Sequence, residues 1–263
     1  MTGLLLLALV TAVVSAVRST WSPCGESVLS TITPVSEPGR GNRWGVTAGA
    51  FVVGALVAGA AVGAVSALAT PLTGRLEPTA AWWIAALAGA GAVVLDRRNG
   101  GRGLPPRRRQ LNEDDSRALR GWIYGGWWGL QVGSGMATIS MTAGVYLTFL
   151  LGALTGRPVL AVAVGATFGL TRGLGVLPAG RLTDPAALRA FHRRMDDLDV
   201  PARRATFTWL AAATGLAVAT AAGGGPAVGV GLAALAGAVA VPVSAGAPRG
   251  RRRLRVPIEA AAS

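Results

Sequence analysis

The chain has 263 residues, of which 51% are hydrophobic and 14% charged, with 38 glycines and a formal net charge of +13. A soluble domain carries charge on about a quarter of its residues, and apolar runs of membrane-spanning length recur here, so lipid is the expected solvent for most of the chain. The positive charge does not signal nucleic acid, because the arginines punctuate the hydrophobic runs and no base-stacking module accompanies them.

Every basic residue except His192 is arginine and none is lysine, the coding bias of a high-GC bacterium. One cysteine, Cys24, cannot form an internal disulfide, and no CxxC or Cys/His spacing suggests a metal; no cofactor is expected. Residues 4–17 have the apolar core of a signal peptide without its basic leader, so they are expected to stay as a first span.

Span one is expected over residues 3–35. As one straight helix it would be about 50 Å long against a hydrocarbon core of about 30 Å. It therefore has to break, and Pro23 and Gly25 mark the place, with Ser22, Ser27 and Ser30 near enough to satisfy the freed backbone. Glu26 is the one acidic side chain expected at membrane depth, where a carboxylate is costly and by default functional. Span two (45–69) carries the GxxxG pairs Gly45/Gly49 and Gly59/Gly63. Span three (79–95) opens on Trp82 and Trp83 in aromatic-belt position. In the arginine-rich loop 96–120, Asn112 is a cap for a short helix with Glu113, Asp114 and Asp115 in its first turn.

Span four (119–155) is again overlong. Gly121, Gly125, Gly129 and Gly133 recur every four residues and make one bare stripe for helix packing, followed by the polar residues Gln131, Ser134, Thr138, Ser140 and Thr142. Span five (158–178) ends near Arg172, which is expected to snorkel to the interface. Residues 185–199 read as a surface helix begun by Asp184 and Pro185, and His192 among its arginines is a poor metal ligand. Spans six (205–222) and seven (226–245) flank the turn Gly223-Gly224-Gly225.

The expected fold is thus an all-α, polytopic helical bundle of seven spans in the bacterial cytoplasmic (inner) membrane. Its parts are a first membrane half (1–95), an arginine-rich cytoplasmic loop (96–120), a second half (121–245) and a basic tail (246–263). With the N-terminus outside and the C-terminus inside, only Arg75 and Arg157 fall in outer loops, as the positive-inside rule requires. Spans one and four are interrupted at corresponding positions of two inverted halves, which points to a site between them near the midplane.

Ser22-Pro23-Cys24, followed by a small-polar run, Pro34, a basic loop and a glycine-spaced second span, resembles the opening of the CcdA/DsbD-type membrane thiol–disulfide carriers of the LysE-like superfamily. The resemblance implies redox traffic of the cytochrome c biogenesis kind, with Cys24 as the thiol that forms a mixed disulfide and Pro23 beside it. Two features depart from the family: no second cysteine lies in 131–142, and no proline follows Cys24 before Pro34. A thioredoxin-like or other thiol-bearing partner would then have to supply the second thiol. The residues also leave two alternatives open. One is a LysE-type transporter of a small solute or ion, its pathway lined by Pro23, Glu26, Ser27, Ser30, Gln131, Ser134 and Thr138. The other is a non-catalytic membrane scaffold, with Cys24 merely packed. Homo-oligomerisation and enzymatic activity are left undecided.

Overall fold

The computed structural model describes residues 2–100 and 111–224. Helix α1 (Thr2–Arg18) runs into one 3-10 turn (Ser19–Trp21), and α2 (Pro23–Thr31) restarts after Ser22. There follow α3 (Trp44–Ala67), a single turn α4 (Thr70–Thr73), α5 (Pro78–Asn99), a single turn α6 (Asp115–Ala118), α7 (Gly121–Gly133), α8 (Gly144–Leu154), α9 (Pro158–Leu174) and α10 (Pro185–Ala221). Among the described residues there is no strand. Among the described residues, four stretches are long and apolar enough to cross a membrane: Thr2–Trp21, Trp44–Ala67, Pro78–Arg98 and Pro158–Arg181. The expected seventh span, the basic tail and residues 101–110 of the arginine-rich loop lie outside the described residues.

The polarity of this bundle is that of a protein in lipid. Leu6, Val10, Val13 and Val17 on α1, and Val53, Val57 and Val65 on α3, face outward, while Ala8, Ala12, Ala16 and Ala55 are buried. Large apolar side chains gain nothing by leaving an apolar solvent, so the interior goes to small residues that let backbones approach.

Helix α3 is the axis of the packing. A Cβ placed on Gly121 or Gly125 would meet Thr47, on Gly129 it would meet Phe51 and Ala55, and on Gly133 Ala55. The contacts climb both helices in the same sense, so α3 and α7 are parallel. Gly165 and Gly169 of α9 interlock with Gly59, Gly63 and Ala55, and Gly173 with Val52, in the opposite sense. Gly45 and Gly49, expected in a helix contact, have nothing within 4 Å of a Cβ. They are two residues out of step with Thr47 and Phe51, which carries them about 200° around the helix.

Helix α10 closes the bundle against α1 and α5. Trp209 Nε1 donates to Thr11 Oγ1 at 3.1 Å, and Arg203 Nη1 to the carbonyl of Gly100 at 2.9 Å. Asp184 caps it, accepting from the amides of Ala186 and Ala187 at 2.8 Å. The segments expected as a surface helix and as span six are two ends of this one 37-residue helix.

Candidate functional site

Both segments expected as overlong spans are interrupted inside the bundle, and polar side chains gather at the interruptions. At the first, Ser22 is the N-cap of α2: its Oγ accepts from the Gly25 amide at 3.1 Å, and Pro23 occupies the first turn, where its missing N–H costs nothing. Cys24, in the same turn, is fully buried with Val28, Phe51, Tyr124, Trp128 and Val176. Glu26 is exposed on the far side of α2, Ser27 Oγ donates to Glu113 Oε1 at 3.2 Å, and Ser30 Oγ donates to the Glu26 carbonyl at 2.7 Å and lies 2.9 Å from His192 Nε2.

At the second, residues 134–143 link α7 to α8 without helix. Gly135 has φ +67°, where a side chain is strained, and a Cβ would also press on Phe168 and Val145 at 2.8 Å. The freed backbone finds local partners. Ser134 Oγ donates to the Gln131 carbonyl at 2.8 Å and accepts from the Ala137 amide at 3.1 Å, while Ser140 Oγ donates to the Gly135 carbonyl at 2.7 Å. Asp96 of α5 accepts from Thr142 Oγ1 at 2.5 Å and from the Ala143 amide at 2.7 Å, fixing the start of α8. Gly144 packs on Ser15 of α1, so the second interruption lies against the span that contains the first.

Four buried charges, Arg18, Asp199, Glu37 and Arg172, were not legible as such in the sequence. Arg18 donates from Nη1 to Asp199 Oδ1 at 2.9 Å, with side chains 2% and 6% exposed. Glu37, in what reads as a hydrophilic loop, is fully buried and accepts from Thr47 Oγ1 at 2.6 Å, from Arg40 Nη1 at 3.1 Å and from the Tyr124 hydroxyl. Arg172 does not snorkel: it is 4% exposed, and its Nη2 reaches Ser22 Oγ at 3.4 Å. Buried without a hydrogen-bond partner among the described residues are Arg172 Nε and Nη1, Ser15 Oγ and Thr138 Oγ1, close to the interruptions, and Arg203 Nε on α10, away from them. Glu37→Ala would strand two buried hydroxyl donors, Thr47 and Tyr124, and release the exposed Arg40. It is expected to lower stability by about 3 kcal/mol, and Glu37→Gln by less, as thermal melts in detergent would measure. Equal melting of Glu37→Ala and the parent chain would show that the cluster contributes nothing.

Over 167 residues, the chain is 34% identical to the methylamine utilization protein MauF of Paracoccus versutus, covering 60% of this chain and 59% of that protein. It is 31% identical over 175 residues to MauF of Paracoccus denitrificans, covering 63% and 60%, and 30% identical over 177 residues to MauF of Methylophilus methylotrophus, covering 64% and 60%. The chain thus spans about 60% of the length of the curated relatives it matches. No family model and no solved structure matches it.

These relatives overturn the resemblance to CcdA/DsbD-type carriers and the thiol–disulfide function drawn from it. Helix chemistry accounts for the misleading motif: in Ser22-Pro23-Cys24 the serine caps α2, the proline begins it and the cysteine fills the core. Cys24 as a mixed-disulfide thiol, a thioredoxin-like partner and a role like cytochrome c biogenesis lose their basis. The transporter and scaffold alternatives gain no support from these relatives.

Proposed function

We propose that this chain is a membrane-embedded component of a bacterial methylamine utilization system, related in role to MauF. The similarity to MauF proteins from three bacteria carries the reading. The membrane part of the reading rests on this chain's own helices, four of which among the described residues are long and apolar enough to span a bilayer. We place the protein in the cytoplasmic (inner) membrane with seven spans, N-terminus outside and C-terminus inside. The arginine distribution supports that orientation. So does a cleft of about 530 Å³ lined by Arg40, Arg43, Arg117 and Arg120, where the parallel helices α3 and α7 both begin. The interrupted helices, with Ser22, Ser134, Thr138 and Arg172, are the working part of the bundle in this reading.

The test is growth. Paracoccus denitrificans lacking its own MauF, supplied with this chain and with membrane expression verified by immunoblot, is expected to regain growth on methylamine. Continued failure on methylamine, with normal growth on other substrates, would overturn the reading.

A further inference from the structure

We propose that the junction of α1 and α2 is an anion site, in which Arg172 and the first turn of α2 hold a small carboxylate inside the bundle. This goes beyond the methylamine reading and does not depend on it.

Two positive ends meet at this junction. Helix α2 has nine residues, and its N-terminal amides carry the partial positive charge of the helix toward Ser22. Arg172 of α9 enters from the other side. Its Nη2 lies 3.4 Å from Ser22 Oγ, a long contact, while Nε and Nη1 have no acceptor. The whole side chain is 4% exposed, so bulk solvent does not compensate it. Among the described residues, no carboxylate lies within ion-pair distance of Arg172. Asp199 is held by Arg18, Glu37 by Arg40, Thr47 and Tyr124, and Asp96 by Thr142 and the Ala143 amide.

A guanidinium held in low dielectric with its donors unspent is costly unless an acceptor of negative charge joins it. Its planar array of donors matches a carboxylate better than a spherical ion. Close packing around the junction sets the size. A Cβ on Gly173 would stand 3.0 Å from Val52 Cα, and one on Gly175 3.5 Å from Thr20 Oγ1. Packing this close excludes a nucleotide or peptide, so the smallest carboxylate, formate, is the fitting probe. One group of the chain lies near enough to Arg172 to compete for it: the Cys24 thiol.

The probe is sodium formate, titrated into the full-length protein in detergent at constant ionic strength with bulky MES as the balancing anion. A ligand that binds only the folded state raises Tm in a saturable way. The rise is expected in the parent chain and in Cys24→Ala, and is expected to be lost in Arg172→Gln. Ser22→Ala is expected to weaken apparent affinity about 5-fold, the worth of one hydrogen bond of about 1 kcal/mol, and Arg172→Lys to retain a weaker response. Should Arg172→Gln fail to fold, the Ser22→Ala and Arg172→Lys shifts decide. No saturable rise in the parent chain, or an undiminished rise in Arg172→Gln, would overturn the proposal. So would a rise seen only after Cys24→Ala, which would make the thiolate the counter-charge.

Discussion

Gly129→Ala is expected to cost the protein at least about 3 kcal/mol, enough to remove most folded material from detergent extracts. Adding one methyl group to a helix would ordinarily help, since alanine is the better helix former by about 1 kcal/mol. At this position the new carbon would strike the Phe51 carbonyl and come within 2.9 Å of the Ala55 amide nitrogen. Both are backbone atoms of α3 and cannot rotate away, so the helices must separate, and overpacking of this kind costs about 1–3 kcal/mol even where side chains can adjust. In lipid the loss extends along the seam, because close backbone contact is what associates helices there. Gly126→Ala, on the same helix, is the internal control. Its Cβ would meet only the Ala50 carbonyl, at 3.8 Å, and that variant is expected to melt at or above the parent temperature. Matching melts for Gly129→Ala and Gly126→Ala would remove the close seam as a source of stability.

The second large effect is expected at Asp199. Arg18 and Asp199 are each nearly inaccessible, so Asp199→Ala leaves a guanidinium in the bundle without its carboxylate. Breaking a buried pair from one side costs about 3–5 kcal/mol. Replacing both partners with apolar residues, Arg18→Leu with Asp199→Leu, is expected to recover most of that loss, because the desolvation of both charges disappears together. A double-mutant cycle on thermal or denaturant unfolding measures the coupling. Additive single effects would mean that the pair is not a unit.

The interruptions of spans one and four could be read in the sequence, because proline, glycine and runs of serine and threonine act locally on the backbone. Pro23 and Gly135 leave their mark within a turn of where they stand. The buried charges could not be read that way. Glu37 sits in a stretch of proline, glycine and arginine that looks water-facing, and it is buried because Thr47 and Tyr124 close over it from two other helices. Arg172 looked like an interfacial arginine near a span end. Its burial depends on where α1 breaks, a fact carried 150 residues away at Ser22. Serine before proline and cysteine suggested redox chemistry, although the same three residues are also a common way to begin a helix. Local signals set the breaks, and partners distant in sequence set the charges.

The ion pair between α1 and α10 also has a consequence in time. Arg18 is translated 181 residues before Asp199. At roughly 5–20 residues per second, that separation amounts to about 10–35 s of synthesis. During this interval the first span carries a cation whose final partner does not yet exist. Throughout it Arg18 is present without the carboxylate with which it forms its ion pair. The contact between α1 and α10 therefore forms only after the helices between them have been made.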